Sequence, residues 1–344
     1  MFEETDLIID EDLQKISNDV SKDFFESRKI LVTGGGGFIG SFLCESLLLF
    51  NANVTCVDNF ITGDMGNISR ILNNDNFTLI NKDVLDFTTE EEYDYIFHLA
   101  SRAAPDEYVI NPIKTLRISA LGSNKILEVA RQSNSTILFT STSETYGDSE
   151  VLPTPETYWG YVNPVGKRSC YDEGKRYAES LFMAFYRQYG LDVRIVRIFN
   201  TYGPRLRADG AYARAMSRFI TQALDNVDIT VYGDGMQTRS FCYVSDTVTG
   251  ILLTMINNET KGDVVNIGNP NETHIIDLAK KIKDISNSKS KITFHELPED
   301  DPKRRCPDIS KAKQLIEWEP RISLEEGLKR TIKWFRPRVH KNDV

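Results

Sequence analysis

Tyr171 and Lys175 lie four residues apart in the run Tyr-Asp-Glu-Gly-Lys. On a helix that spacing puts a phenol and an ammonium on one face. A phenol beside an ammonium can take a hydroxyl proton near neutral pH, which is what oxidation of an alcohol needs while hydride leaves the same carbon. Upstream, the segment TSTSETYG (140–147) ends an apolar run and brings a hydroxyl, Thr142, and a carboxylate, Glu144. A tyrosine and lysine at this spacing arise often by chance on solvated surface. Their position downstream of a phosphate-binding pattern makes the pair specific.

That pattern is TGGGGFIG (33–40), in which Gly34, Gly37 and Gly40 follow a short apolar run and open a helix. The spacing suits a tight turn, close approach of backbone to a pyrophosphate, and a helix N-terminus facing the charge. About 20 residues on, the next apolar run ends in Asp58. A carboxylate there accepts hydrogen bonds from ribose hydroxyls and repels the 2′-phosphate of NADP, so the expected cofactor is NAD.

The elements that must position these groups alternate. KILVT, NVTCVD, FTLIN, YDYIFHLA, STILFTST and LDVRIVRIFN read as short, nearly continuous apolar strands, and SFLCESLLLF reads as a helix. This texture predicts an α/β fold, a doubly wound parallel Rossmann sheet covered on both faces, with a smaller C-terminal α/β substrate lobe. The expected division is an N-terminal helical extension over 1–28, a Rossmann domain over 29–200, and a substrate-binding lobe over 201–344 interleaved with late Rossmann elements. In the extension, Leu7, Ile8, Leu13, Ile16, Val20, Phe24 and Phe25 recur at loosely helical spacing, as expected of a helix packed on the body or on a second subunit.

With 344 residues, 40% hydrophobic and 26% charged, the chain has the composition of an ordinary globular protein. A net charge of −9 argues against a nucleic-acid surface, so any anionic ligand requires a local basic pocket. The five cysteines (Cys44, Cys56, Cys170, Cys242, Cys306) form no CxxC pair and have no histidine at metal-ligand spacing; no metal is expected. No run reaches the roughly 18 apolar residues of a membrane span. The acidic start MFEETDLIIDEDL resembles neither a signal nor a transit peptide, so the expected location is cytoplasmic.

TGGGGFIG, VDN (57–59), KDV (82–84) and HLAS (98–101) together resemble the cofactor framework of the extended short-chain dehydrogenase/reductase family, and the resemblance runs from about residue 29 to 335. It implies that Asp83 and Val84 border the adenine, and that Phe38, Ile39, Asn59 and Leu99 complete the NAD site. Tyr171 is then the acid/base, Lys175 holds the nicotinamide ribose, and Thr142 bonds the sugar hydroxyl being oxidised. Glu144 resembles dehydratases and decarboxylases rather than epimerases, which usually carry a small residue there. Ser143 stands where dehydratases of thymidine-diphosphate glucose place an aspartate, although STSE is also found in guanosine-diphosphate mannose dehydratases.

NPIKTL (111–116), YWGYVNPVGKRSCYDEGKR (158–176), RIFNTYGPR (197–205), VYGDGMQTRSF (231–241) and DDPKRRCPD (300–308) look like the UDP-glucuronic acid decarboxylases of that family. The implied reaction is oxidation of UDP-glucuronate at C4, loss of carbon dioxide and reduction to UDP-xylose, redox-neutral overall. Arg305 matches the arginine that engages the substrate carboxylate, a task for a planar, bidentate fork; its alternative is a surface charge in a run with Lys303 and Arg304. Asn200 and Arg239 match residues that hold the diphosphate and sugar, with Tyr108, Lys114 and Arg168 as further pocket candidates. For Glu144 both substrate positioning and protonation at C5 stay open. Relatives commonly form homodimers through two helices, here around 112–132 and 171–189.

The resemblance breaks in places. RAAPDEY (102–108) stands where such decarboxylases read PASPPNY, Ser119 and Arg218 replace usual asparagines, and 207–220 is about two residues longer. A 4-epimerase, a 4,6-dehydratase, an oxidative decarboxylase releasing the 4-keto-pentose, and a non-catalytic NAD-binding regulator are the competing readings. Intact Thr142, Tyr171 and Lys175 weigh against the last.

Overall fold

The computed structural model describes residues 2–207, 215–297 and 304–339. Lys303, the first part of 300–308 and the inserted stretch after Arg207 lie outside the described residues.

Six strands follow in chain order: β1 (Lys29–Thr33), β2 (Asn53–Asp58), β3 (Phe77–Asn81), β4 (Tyr95–His98), β5 (Thr136–Thr142) and β6 (Val193–Ile198). A seventh strand, Asp263–Ile267, pairs with β6, and the sheet order is Asp263–Ile267, β6, β5, β4, β1, β2, β3. Every pairing is parallel. A parallel sheet buries both faces, which is why the strands read as apolar runs rather than alternating ones. Two clusters of buried side chains cover it, one containing Ile30, Val32 and Phe97, the other Leu31, Ile96 and Ile137. The expected α/β class and doubly wound parallel sheet are present.

Helix α1 spans Phe2–Asp19, α2 Phe38–Leu49, α3 Pro105–Ile110, α4 Pro112–Arg117, α5 Ser123–Ser133 and α6 Ser169–Tyr189. A π-helical turn, Ile118–Gly122, joins α4 to α5. The second helix starts at Phe38, three residues before the apolar run suggested, because Gly37 caps it and the glycine turn itself forms its first turn. Between β2 and β3 the chain forms only a 3-10 turn, Met65–Ile68, and no helix separates β3 from β4.

Beyond β6 the smaller lobe consists of two-stranded pieces. Ile229–Tyr232 pairs with Ile292–His295, and Thr238–Ser240 pairs antiparallel with Glu272–His274. Helix Ala215–Leu224 packs on helix Ile275–Ser286 beside them. Asp263–Ile267 returns from this part of the chain to the central sheet, where it pairs with β6.

The N-terminal extension packs on the body of its own chain. Ile8, Ile9, Leu13, Ile16 and Val20 are buried against α2 and the helices Val244–Ile256 and Leu324–Val339, whereas Leu7 faces outward. Asp12 is buried on the same face, where it accepts hydrogen bonds from the Tyr243 hydroxyl (2.8 Å) and the Arg330 guanidinium (2.8 Å). Phe25 packs against Phe50, Tyr95 and Phe97. Ile16 is fully buried, so Ile16→Ala is expected to lower the unfolding free energy in urea by about 2–4 kcal/mol. A change under about 0.5 kcal/mol, the range of surface substitutions, would show that α1 is not integral to the core.

Candidate active site

The C-terminal ends of β1, β2, β4, β5 and β6 open into a cleft of about 520 Å³, lined on its other side by the smaller lobe. Parallel sheets place ligands at this edge, where the strand order reverses from the first strand. The glycine turn forms the floor. Gly34 has φ +78°, and a Cβ there would lie 2.8 Å from the Ala100 nitrogen; a Cβ on Gly40 would lie 2.2 Å from the Gly34 carbonyl oxygen. No larger residue fits at either position. The backbone of the loop leaving β4 therefore packs directly on the turn, anchored by the Leu99 and Ala100 N–H groups donating to Thr33.

Asp58 stands at the tip of β2 beside this turn. Its carboxylate accepts the N–H of Gly36 (2.9 Å) and of Phe60 (2.8 Å), which fixes both its own position and the turn's shape. Burial raises its pKa despite these bonds. Asn59 donates to Asp83 (2.9 Å), and Asp83 accepts the Leu85 N–H, so the ends of β2 and β3 form one polar rim. Gly34, Gly37, Phe38, Ile39, Gly40, Asp58, Asn59, Asp83, Val84 and Leu99 all line the cleft. A bare backbone turn at a helix N-terminus with a fixed carboxylate nearby fits a dinucleotide.

The candidate reacting groups line the same cleft. Thr142 ends β5 and accepts the Glu144 N–H with its hydroxyl (3.2 Å). Tyr171 and Lys175 share one face of α6. The Lys175 ammonium is buried, donates to the Thr140 carbonyl (2.9 Å), and lies 4.7 Å from the Phe139 ring centroid and 5.9 Å from that of Tyr171. Burial pulls its pKa down to about 7, with the Glu179 carboxylate opposing. Tyr108 stacks on Tyr171 at 5.1 Å and 8°. His98, buried at the end of β4 and 2.7 Å from the Thr33 hydroxyl, is pushed down to about 3 by burial and the Lys175 charge, so it is neutral.

Glu144 sits between two arginines. Arg305 meets it with both terminal nitrogens, and Arg168 donates to it at 2.6 Å. Burial alone would raise this carboxyl, but the two guanidiniums outweigh it and hold the group well below the usual carboxylate range. Arg305 is only 7% exposed, unlike Arg304, which lies at the surface paired with Glu272. Sequence-adjacent arginines thus have opposite environments, and Arg305 is not part of a solvated basic run.

Residues 31–331 match the GDP-mannose 4,6 dehydratase family. The chain belongs to the extended short-chain dehydrogenase/reductase family. It is 48% identical over 311 residues to UDP-glucuronic acid decarboxylase 1 of Xenopus tropicalis, covering 90% of this chain and 73% of that protein. It is 46% identical to UDP-glucuronic acid decarboxylase 5 of Arabidopsis thaliana, covering 92% of each. Among solved structures, UDP-glucuronic acid 4-epimerase from Bacillus cereus, in complex with UDP-glucuronic acid and NAD, superposes with a TM-score of 0.81 at 29% identity, covering 90% of this chain and 99% of that one.

Of the residues that the extended dehydrogenase/reductase resemblance singles out, the structure brings Thr142, Glu144, Tyr171, Lys175, Arg305, Tyr108, Arg168, Asn200 and Arg239 to this cleft together with the dinucleotide set. Asn200 donates to the Ser240 carbonyl and Arg239 to that of Thr238, so both are held at the lobe junction. Lys114 does not join them; α4 turns Thr115 and Ile118 inward and leaves Lys114 exposed. Two groups escaped the sequence reading. Asp172, buried beside the arginine cluster with one carboxylate oxygen unpartnered, is raised to about 7 by burial and the Glu144 charge, against the pull of Arg168 and Arg305. Glu179 bonds Ser141 (2.5 Å) and Arg197 (2.6 and 2.9 Å) behind Lys175. The spacing Tyr171, Lys175, Glu179 at i, i+4, i+8 is a signal that could have found it.

Lys175 titrates below its ordinary value in the folded chain, so between about pH 7 and the unfolded lysine range the unfolded chain binds a proton that the folded one does not. Stability from this group therefore rises with pH across that window. Lys175→Met removes that dependence: the melting temperature of wild type relative to the variant is expected to climb between pH 6 and pH 9 in nucleotide-free protein. A constant difference at both pH values would contradict a buried, depressed lysine.

Proposed function

We propose that this chain is an NAD-dependent UDP-glucuronate decarboxylase that forms UDP-xylose, and the observation that carries the reading is Arg305. This buried guanidinium holds a carboxylate, that of Glu144, in the cleft that Thr142, Tyr171 and Lys175 also line. A site that takes the C6 carboxylate of a glucuronate needs such a fork close to the hydroxyl being oxidised. The decarboxylase relatives, similar over 90% or more of the chain, support the same reading.

Held over the turn of Gly34, Gly37 and Gly40, NAD would supply the acceptor, and later the donor, of the C4 hydride. Tyr171 takes the C4 hydroxyl proton, and the buried Lys175 ammonium favours the phenolate that does so. Thr142 orients that hydroxyl with its own. The 4-keto acid then loses carbon dioxide as the C5–C6 electron pair moves toward the C4 oxygen, and C5 takes a proton from solvent, the one proton the overall reaction consumes. Tyr171 gives its proton back when C4 is reduced, so it ends the cycle as the phenolate it began as.

The substrate carboxylate competes with Glu144 for Arg305, and Arg168 remains to hold Glu144 aside. With both arginines on it, Glu144 is held as a carboxylate in the ligand-free cleft and positions the two guanidiniums. Asn200 and Arg239 hold the substrate's diphosphate from the lobe side, with Tyr108 walling the sugar pocket. Residues 29–200 serve mainly the cofactor and 201–344 mainly the substrate.

The protein is further proposed to be a homodimer. Ile110, Ile113, Leu116 and Leu121 along α3 to α5, and Tyr177 on the adjacent α6, are exposed large apolar groups on neighbouring helices. Ile113→Glu combined with Leu121→Glu is expected to yield a monomer by light scattering; an unchanged mass would place any interface elsewhere. Five free, buried cysteines suit a reducing, cytoplasmic setting, and none of the described helices is long and apolar enough to cross a membrane.

Incubation with NAD and UDP-glucuronate, followed by NMR, is expected to give UDP-xylose and carbon dioxide without lasting NADH. UDP-galacturonate would make the chain an epimerase, and a 4-keto-pentose with stoichiometric NADH an oxidative decarboxylase. In Arg305→Ala, kcat/KM for UDP-glucuronate should fall by about 100-fold or more, whereas binding of UDP-xylose, which has no carboxylate, should change by less than about threefold. Equal losses for both ligands would argue against a carboxylate contact.

A further inference from the structure

Arg102, in the loop leaving β4, is 6% exposed and lines the cleft, and its Nε has no hydrogen-bond partner. One terminal nitrogen donates to Glu107 (3.0 Å), and Glu107 lies next to Tyr108, whose ring stacks on Tyr171. The stretch just before it, Leu99–Ala100, packs on Gly34. The guanidinium is therefore tethered between the glycine turn and the reacting tyrosine. A buried guanidinium nitrogen left unpaired is costly unless a ligand acceptor reaches it.

We propose that Arg102 is an anion-binding residue for the pyrophosphate of the dinucleotide, contacting it through the Nε edge that Glu107 leaves open. Helix α2 supplies its N-terminal N–H groups to that charge, but its sequence, FIGSFLCESLLL, contains no lysine or arginine. The rim at the adenosine end is acidic, with Asp58 and Asp83, and Lys82 beside it is exposed. Arg168 and Arg305 are engaged with Glu144, and Arg239 and Arg218 approach from the smaller lobe, with Arg218 donating to the Thr230 carbonyl and lying 4.6 Å from the Tyr232 ring centroid. Among the described arginines lining the cleft, Arg102 thus stands closest in sequence to the Leu99–Ala100 backbone that packs on Gly34, and Glu107, bonded also by Arg207 at 3.5 Å, sets its direction. The inference rests on the dinucleotide site, not on which sugar is processed.

Calorimetric dissociation constants for NAD, ADP-ribose, adenosine and UDP, in wild type, R102M and R102K, test it. R102M is expected to bind NAD and ADP-ribose at least about tenfold more weakly, with adenosine and UDP within about twofold of wild type. R102K, which keeps a charge but loses the Nε edge, should fall between, and it decides the matter if R102M does not fold. Unchanged ADP-ribose affinity in the folded variants overturns the proposal. So does an equal loss for adenosine, the mark of a structural residue, and so does a loss confined to UDP. Failure of the wild type to bind NAD would remove the cofactor reading itself, an outcome distinct from all of these.

Discussion

The buried ammonium of Lys175 constrains much of the catalytic end. It can stay in a dry interior only with its bond to the Thr140 carbonyl, its place over the Phe139 ring, and the Glu179 carboxylate one helical turn further on. These partners belong to β5 and α6, so satisfying one charge fixes the helix against the strand. The same Glu179 bonds Ser141 on β5 and Arg197 on β6, and the Arg197 guanidinium lies 4.6 Å from the Tyr146 ring centroid. Two strands, one helix and the turn after β5 are thereby tied together, and Thr142 and Tyr171 inherit their relative position from that tie. A positioned hydroxyl pair of this kind comes from a strand end and the helix packed on it, not from the loops around them.

A second charge cluster lines the same cleft. Glu144, Arg168, Arg305 and Asp172 occupy the side toward the smaller lobe, and they have the opposite logic. Lys175 has fixed partners that no ligand replaces. Glu144 and Arg305, by contrast, form a pair whose acid half a substrate can replace, since a carboxylate on the ligand offers the guanidinium the same two oxygens. Buried pairs contribute little net stability relative to their desolvation, so exchanging one carboxylate partner for another need not cost the fold much. The protein with its own carboxylate in the fork is folded and poised rather than strained.

Much of this was legible in the sequence because it is local. The glycine spacing, Asp58 at the end of the next strand, and the tyrosine–lysine pair each carry their geometry within a few residues, through strand and helix periodicity. What was not legible depends on packing between distant segments. Glu144 and Arg305 are 161 residues apart, and nothing in either neighbourhood states that they meet. Asp172 reads as an ordinary helical acid until the arginine cluster closes over it. Lys114 sits in a motif that resembles pocket residues, but the phase of α4, set by Thr115 and Ile118 facing inward, turns it out. In α1, loosely helical spacing gave the helix but not its face: Ile9 is buried and Leu7 is not, because Asp12 must reach Arg330 and Tyr243.

An overall charge of −9 and a cleft lined by Arg102, Arg168, Arg207, Arg218, Arg239 and Arg305 are compatible because the field is local. Low-dielectric walls strengthen each guanidinium's interaction with an anion inside, while surface carboxylates are screened within about 10 Å by salt. Within the cleft the arginines are kept apart by intervening acids: Glu107 joins Arg102 to Arg207, and Glu144 joins Arg168 to Arg305. Each acid spares its two cations from repelling one another and holds them in one orientation. Ligand anions then meet pre-oriented forks instead of a diffuse positive patch, and separate anionic groups can be told apart by position along one cleft. That arrangement accounts for how an acidic protein can receive ligands as negatively charged as a dinucleotide and a nucleotide-linked uronic acid in the same cavity.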